Sequence, residues 1–306
     1  MKACYPEGWI CERQGAKKGV YSLSQITEAK ESGEILEALA YMCDNEHNLL
    51  VDLGSMRGII PREEGAIGIK EGITRDIALI SRVGKAVSFG VSDIVTDPQG
   101  KRYALLSRKY AQQTARDFLM KNHRVGDVLD ARITHLESFG AFCDIGCGNI
   151  ALLPIDSISV SRISHPRDRF SPGDDIKVII KSIENGRITL SHKELLGSWE
   201  ENAALFSQGQ TVRGVIRSVE SYGVFVELAP NLAGLAEARS DVRIGQGASV
   251  YIKSIIPEKM KIKLIIIDSF DMEKEVGFEY FYTGDHIDRF LYSPQNSDKK
   301  IETFFE

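Results

Sequence analysis

The sequence predicts an all-β protein built from three similar small barrels, and three observations support this fold class. Parts of the chain repeat, each repeat has the pattern of five short strands, and the composition is ordinary for a globular protein. Of the 306 residues, 43% are hydrophobic and 26% are charged, which excludes disorder of the whole chain. Apolar runs such as residues 264–267 are far shorter than the roughly 18 residues of a membrane span.

An internal repeat is the strongest of these signals, and repeats of this kind indicate an array of similar units. Two strong copies share three blocks: Gly126–Ile133 with Gly209–Ile216, Glu137–Ile145 with Glu220–Leu228, and Ile179–Ile183 with Tyr251–Ile255. A weaker third copy lies upstream of them, where His47–Gly54 aligns with Phe139–Gly146. The offset is 83 residues for the first two blocks and 72 for the third, so the last copy has a connection shorter by 11 residues.

The second repeat shows why each unit is expected to be a barrel. Leu129, Ala131 and Ile133 alternate with polar residues, which is the period of a half-buried strand. Asn185-Gly186 separates two further strand patterns and is typical of a type I′ hairpin turn. Five short strands with one long connection before the fourth favour a small Greek-key barrel of the OB type.

The repeat boundaries divide the chain into seven segments. Helical patterns without proline at Lys109–Asn122 and Lys193–Phe206 predict short helical linkers between the barrels, and Ser24–Ser32 predicts a helix before the first. We predict an N-terminal extension (1–32), three barrels (33–109, 125–194 and 207–267), two linkers (110–124 and 195–206) and a C-terminal β extension (268–306). Gly15–Gly19 is predicted to form a basic loop within the N-terminal extension.

The candidate binding residues begin with two aromatic pairs, Phe139 with Phe142 and Tyr222 with Phe225, each separated by a glycine and one further residue. Positions three apart on a regular strand face opposite sides, but a glycine permits a bulge that re-aims side chains. Two rings side by side would form a platform for stacking RNA bases. The alternative is that the rings belong to the barrel cores, although their repetition argues against it.

Basic residues near these rings are candidates for phosphate contacts. They lie on the first strand, late in the fourth strand or before the fifth strand, namely Arg132, Arg213, Arg217, Lys181, Lys253, Arg187 and Lys261. The alternative for any one of them is an ordinary surface charge. The chain carries a net charge of −5, but residues 206–267 carry +3, residues 122–194 carry −1 and residues 268–306 carry −6. The acidic surplus therefore lies mainly outside the predicted barrels.

Together, these residues resemble the repeated RNA-binding domain of the small-subunit ribosomal protein S1 family. The resemblance rests on Gly126-Asp127, Phe139-Gly140-Ala141-Phe142, Ser191-His192-Lys193 and their counterparts, and it covers roughly residues 33–267. It implies that Phe139, Phe142 and Arg187 contact RNA in the second repeat, and Tyr222, Phe225 and Lys261 in the third. The family often has a histidine at the end of the third strand, where this chain has Pro61, Pro154 or Glu237. His47 and Leu50 replace the rings in the first repeat, where His47 retains a stacking surface, so we expect weak RNA binding or protein docking there.

The resulting hypothesis is a non-enzymatic, cytoplasmic protein that binds single-stranded RNA, including mRNA, and acts with the small ribosomal subunit. We expect no catalytic residues, no metal, no cofactor and no membrane association. Gly146–Ala151 matches a dinucleotide-binding pattern, but Leu152-Leu153-Pro154 is a poor helix start, and Cys143 and Cys147 lack a second pair for zinc. Five sparse cysteines and a start without an apolar signal core suit a reducing compartment.

The alternative hypothesis is a protein-interaction or regulatory scaffold that uses the barrels and the acidic C-terminal extension. In that extension, Phe278–Tyr282 and Arg289–Tyr292 flank Thr283-Gly284-Asp285, which predicts a hairpin, and Lys300–Phe305 predicts a further strand. Two interpretations of this segment remain open. It is either a β appendage packed on the third barrel or a separate surface that docks proteins.

Overall fold

Three closed five-stranded barrels form the chain, and this confirms the predicted all-β fold class. The structure is a computed structural model that describes residues 4–13, 19–272 and 278–305. The predicted basic loop at Gly15–Gly19 lies almost wholly outside these residues. The chain divides into two compact units: the first runs to His123 and includes Asp144–Ile150, and the second holds the remaining residues.

Barrel 1 belongs to the first unit. Its strands are β1 (Leu36–Cys43), β2 (Leu49–Asp52), β3 (Arg57–Ile60), β4 (Ala86–Thr96) and β5 (Arg102–Ser107), closed in the order β1-β2-β3-β5-β4. The helices of this unit are α1 (Trp9–Arg13), α2 (Leu23–Ser32), α3 (Ile77–Ile80) and α4 (Arg108–Asn122). Ser22 and Gln25 form a capping box at the start of α2, and Gly33 ends it in the left-handed conformation. The predicted helix over Ser24–Ser32 is therefore confirmed.

Barrel 2 has the strand pattern expected from the sequence. Its strands are β6 (Val128–Glu137), β7 (Gly140–Asp144), β8 (Ile150–Pro154), β9 (Asp175–Glu184) and β10 (Arg187–Ser191), closed in the order β10-β8-β7-β6-β9. Glu184 pairs with Arg187 across a two-residue turn. Asn185 and Gly186 in that turn have φ values of 50° and 70°, as a type I′ turn requires. The hairpin predicted there is confirmed.

Barrel 3 repeats barrel 2 in detail. Its strands are β11 (Thr211–Glu220), β12 (Gly223–Ala229), β13 (Leu232–Ala236), β14 (Gly247–Ile256) and β15 (Lys261–Phe270), closed in the order β11-β12-β13-β15-β14. Val128 pairs with Ile179 in barrel 2, and Thr211 pairs with Tyr251 in barrel 3. These positions are related by the sequence offsets of 83 and 72, so the strand registers match the internal repeat.

The two predicted helical linkers have different outcomes. The first is confirmed, because α4 spans nearly the whole segment. The second is only partly helical: a 3-10 turn at Lys193–Leu196 is followed by α5 (Trp199–Ala203). Gly197 separates the two with a φ of 82°, and Ser198 then caps α5 in a capping box with Glu201. The predicted helical linker is therefore confirmed in part, since the one glycine in it divides the helical segment in two.

The C-terminal extension contains a hairpin, but at a different place from the one predicted. β16 (Arg289–Leu291) pairs with β17 (Glu302–Phe304), so the hairpin predicted around Thr283-Gly284-Asp285 is wrong. The reason is that the backbone near Asp285 bonds to barrel 2, where Val128 N–H donates to the Asp285 carbonyl over 2.9 Å. The extension packs on barrel 2 through Ile287 and on barrel 3 through Tyr292, so it is a packed appendage of both.

Within the described ranges, no helix is long and apolar enough to cross a membrane.

Candidate nucleic-acid interface

Each of barrels 2 and 3 carries two aromatic rings side by side, which we term the ring pairs. The centroids of Phe139 and Phe142 lie 6.0 Å apart with an interplanar angle of 89°. Those of Tyr222 and Phe225 lie 6.2 Å apart with an angle of 86°. The first ring of each pair is strongly exposed, Phe139 by 55% and Tyr222 by 68%, while the second is half-buried. The ring pairs are therefore surface features, and the interpretation of these rings as core residues is wrong.

The rings reach one face because the first ring of each pair precedes the strand. In barrel 3, Glu220 pairs with Gly223, so Ser221 and Tyr222 form a two-residue turn. The period of two that separates the faces of a strand does not apply to a residue in such a turn. The register shift that we expected at the glycine lies instead in β11, between Ile216 and Ser218.

The glycine within each pair has a different role from the predicted one. A Cβ atom on Gly140 would lie 2.5 Å from the carbonyl oxygen of Leu153, and one on Gly223 would lie 2.6 Å from that of Ala236. Both carbonyls belong to the third strand of their barrel. The glycine therefore lets the third strand approach closely beside the ring pair.

A third ring joins the pair in barrel 2, and the sequence analysis missed it. His135 stacks against Phe142 with centroids 6.3 Å apart and an angle of 26°, and its Nε2 lies 2.6 Å from Oε1 of Glu137. The matching position in barrel 3 is Ser218, which pairs across the strands with Phe225. The hairpin geometry would have revealed His135, because residues opposite each other across a two-residue turn lie side by side.

Lysines surround the ring pair of barrel 3. A groove of about 570 Å³ is lined by both rings together with Lys253, Lys261 and Lys263. The structure thus brings Lys253 and Lys261 to the rings as the sequence predicted, and adds Lys263. Glu237 also lines this groove and is exposed, so one carboxylate lies among the three ammonium groups.

The cations of barrel 2 are engaged differently. Arg132 forms a bidentate ion pair with Asp175, with N–O distances of 2.7 and 3.1 Å. Lys181 donates a hydrogen bond of 3.0 Å to Oγ of Ser157 and is half-buried. Arg187 is exposed at the start of β10. Of these three predicted phosphate contacts, only Arg187 extends to solvent at the surface.

Arg213 and Arg217 lie away from the ring pair of barrel 3. Both line a second groove of about 820 Å³, on whose wall Arg213 lies 4.9 Å from the centroid of the Phe270 ring. Arg217 is buried and donates two hydrogen bonds to Glu227, which also accepts two from Arg169. The structure therefore separates these two arginines from Tyr222 and Phe225.

Barrel 1 lacks a ring pair at the matching place. Cys43 pairs with Leu49, so the turn between β1 and β2 has five residues in place of two. His47 lies in that turn with a φ of 63° and is half-buried. Leu50 is buried. In this turn His47 is the partly accessible ring, and Leu50 offers no ring for stacking.

Two further sequence motifs have structural roles. His192 is fully buried and packs edge-to-face against Phe170 and Phe278. Burial lowers its pKa to about 4, so the ring is neutral at physiological pH.

The dinucleotide-like segment at Gly146 forms the turn between two strands, and no helix follows it, because β8 begins at Ile150. A phosphate site at a helix start is therefore excluded at this place.

Comparison with known proteins identifies the repeat. Residues 122–193 match the model of the S1 RNA binding domain. The chain is 33% identical over 221 residues to the small ribosomal subunit protein bS1 of Staphylococcus aureus (strain COL), an alignment covering 70% of this chain and 54% of that protein. It is 30% identical over 239 residues to the bS1 homolog of Bacillus subtilis, covering 75% and 58%. The chain thus spans about half the length of the curated relatives it matches.

Among solved structures, the chain is similar to a multidomain protein with nucleic acid binding domains from Streptococcus pneumoniae. The identity is 16%, the TM-score is 0.25, and the alignment covers 79% of this chain and 76% of that one. A second similar structure is GSP13 from Bacillus subtilis, with 25% identity, a TM-score of 0.22 and coverage of 23% and 55%. Scores this low carry no argument about function.

Proposed function

The chain belongs to the bacterial ribosomal protein S1 family, and from that premise we propose that it binds single-stranded RNA through the ring pairs of barrels 2 and 3. The observation that carries the proposal is the repeated geometry of those pairs, with one strongly exposed ring beside a half-buried one in each barrel. Because the first ring is exposed, it gives up few contacts within the protein when a base stacks on its face. Stacking of this kind contributes about 1–3 kcal/mol per base and tolerates any base sequence.

Phosphate contacts differ between the two barrels in this proposal. Lys253, Lys261 and Lys263 line the groove beside the rings of barrel 3, where they would neutralise the RNA backbone. Barrel 2 contributes Arg187 at its surface. Because neutralised phosphates release counterions, the affinity should fall as salt rises, with a slope near −0.7 per phosphate for a single strand.

The wider role follows from the relatives and is part of the same proposal. The matched proteins are small ribosomal subunit proteins, and this chain spans about half their length. We infer that it is a cytoplasmic protein that holds mRNA in association with the small ribosomal subunit. It would act by binding rather than by catalysis, and the ring pairs require neither a metal nor a cofactor for stacking.

The test is a titration of a fluorescent oligo-RNA with the full chain and with the double variant Phe139→Ala/Tyr222→Ala. Loss of two stacking surfaces should weaken binding by at least tenfold, since about 1.4 kcal/mol corresponds to a factor of ten. Phe304→Ala is the matched control, because Phe304 has the same 55% exposure as Phe139 but lies in the C-terminal hairpin. An affinity equal to wild type in the double variant would refute the stacking surface.

A further inference from the structure

The outer surface of barrel 2 is covered by the C-terminal extension at one defined place. Ile179 points away from the barrel interior, since its neighbours Val178 and Ile180 are the inward-facing residues of β9, yet it is fully buried. Ile287 and Phe305 of the extension form a cluster with it. The extension therefore provides the cover that this face of barrel 2 needs.

Within the part of the chain that the structure describes, the same face of barrel 3 is exposed to solvent. Tyr251 holds the position of Ile179, because it pairs with Thr211 and Ile265 as Ile179 pairs with Val128 and Ser191. Tyr251 is 36% exposed, Ile265 is 39% exposed and Ile267 is 59% exposed. Large apolar side chains grouped on one outer sheet face mark a surface that gains free energy when it is covered.

The charges around this bare face indicate what covers it. Arg213 lies beside Ser249 on the adjoining strands, Lys253 follows Tyr251 on the same outer face, and Lys263 precedes Ile265. All three are exposed, Asp268 lies at the edge of the face, and Asp271 and Glu279 line the groove of Arg213. The segment that covers barrel 2 has the complementary chemistry, since it joins Ile287 and Phe305 to Asp285, Asp288 and Glu302.

We propose that Tyr251, Ile265 and Ile267, with Arg213, Lys253 and Lys263 around them, form a docking face for an extended acidic segment of a partner protein. Its aromatic or aliphatic anchors would cover the two isoleucines and its carboxylates would meet the three cations. Isoleucine offers no π-face to a base, so the aliphatic part of this face suits a peptide better than RNA. Lys253 and Lys263 also line the groove beside the ring pair, so a docked acidic segment competes with RNA for them.

The probe for this proposal is a fluorescent synthetic peptide with the sequence of residues 278–292, which carries both aromatic and acidic residues. Its anisotropy is measured with the full chain, with Ile265→Glu and with the milder Ile267→Ser. Either substitution should weaken peptide binding, Ile265→Glu by at least tenfold, because it places a like charge at the centre of the face. A second peptide with Gln or Asn in place of its acidic residues should bind more weakly than the first.

Tyr222→Ala is the control variant, because it alters the ring pair of barrel 3 and leaves the docking face intact. It should weaken oligo-RNA binding and leave the peptide affinity unchanged. If the peptide failed to bind, the docking face would be overturned. It would also be overturned if the peptide bound Ile265→Glu as tightly as wild type, because the peptide would then be replacing the extension on barrel 2. If Ile265→Glu weakened oligo-RNA binding without weakening peptide binding, the face would belong to RNA. None of these results would refute RNA binding by the ring pairs, which the double variant tests separately.

Discussion

Barrels 2 and 3 each have a buried carboxylate in the C-terminal half of the second strand, Asp144 and Glu227, at positions 83 residues apart, but the surroundings of the two differ. Asp144 accepts backbone N–H bonds from Glu7, Gly146 and Gly148, and burial and the nearby charge of Glu7 raise its pKa to about 7. Burial also acts to raise the pKa of Glu227, but the hydrogen bonds and charges of Arg169 and Arg217 outweigh it and hold the pKa below the ordinary value. The comparison teaches that the repeat sets where a carboxylate lies, while residues that differ between the barrels, Glu7 beside Asp144 and the two arginines beside Glu227, set its pKa.

The outer surfaces of the two barrels show the same division. The ring pairs are nearly identical, with centroid distances of 6.0 and 6.2 Å. The cations differ. In barrel 2, Arg132 and Lys181 are bonded to other side chains of the protein, whereas three lysines line the groove of barrel 3. Stacking should therefore be shared between the barrels, whereas salt dependence should come mainly from barrel 3.

The largest loss of stability is expected from Glu227→Ala, which removes the arginine-paired carboxylate of barrel 3. It leaves the buried guanidinium groups of Arg169 and Arg217 without their common carboxylate, and breaking a buried pair in this way costs about 3–5 kcal/mol. Urea unfolding measures the loss. The control is Glu237→Ala, an exposed glutamate of the same barrel, which should change the unfolding free energy by less than about 0.5 kcal/mol. Equal stability of the two variants would contradict the role of Glu227.

A smaller loss of stability is expected when the pH is lowered, and it arises from His192 of barrel 2. His192 has its counterpart in Ile266, so barrel 3 has no titrating group there. The folded pKa of His192 is lowered by burial to about 4, whereas the unfolded value is 6.5. Its contribution to stability is therefore complete above pH 6.5 and falls by about 3 kcal/mol as the unfolded chain takes up a proton on the way to pH 4.

Urea unfolding of wild type and His192→Gln between pH 6.5 and pH 4 tests this difference. The variant lacks the titrating ring, so its stability should fall less steeply over that range, whatever its absolute stability. Parallel curves for the two proteins would show that His192 does not titrate as the structure implies.

A moderate and equal effect is expected from Gly140→Ala and Gly223→Ala. Each places a Cβ within 2.6 Å of a backbone carbonyl of the third strand, and relieving such overpacking typically costs about 1–3 kcal/mol. Thermal unfolding should show similar losses in both, with Ser138→Ala in the exposed turn as the control. If only one glycine variant lost stability, the close approach would not be a shared feature of the repeat.

The smallest effect is expected in the salt dependence of RNA binding. Lys261→Ala should flatten the slope of log affinity against log salt by about 0.7, because one phosphate contact is lost. Arg132→Ala should leave the slope unchanged, since Arg132 is paired with Asp175. Titrations of oligo-RNA at several salt concentrations distinguish the two. A flatter slope for Arg132→Ala would show that this ion pair opens to bind RNA.

The features that the sequence predicted best are those encoded locally or by repetition. The offsets fixed the strand registers, and Asn185-Gly186 carried its own turn geometry. The engagement of Arg132 and Lys181 was not predictable in this way, because their partners Asp175 and Ser157 come from other parts of the chain. Side-chain partners distant in sequence are set by tertiary packing, which a one-dimensional pattern does not contain.

The C-terminal extension was the least predictable segment for the same physical reason. Its local pattern indicated a hairpin around Gly284, but barrel 2 offers backbone partners and an apolar face that compete with that hairpin. The break in the second linker was different, since Gly197 was visible in the sequence. A single glycine carries too little weight in a helical pattern to predict a break without the packing around it.

The cover over Ile179 has a consequence for the order of events during synthesis. The last strand of barrel 2 ends at Ser191, but Phe305 follows only 114 residues later, which takes a ribosome roughly 6–23 s at about 5–20 residues per second. During that interval the nascent barrel 2 is complete in its strands and exposes an uncovered apolar face. Barrel 3 emerges in the meantime with its own apolar face, so both are open to chaperones and to each other until the end of the chain closes over the first.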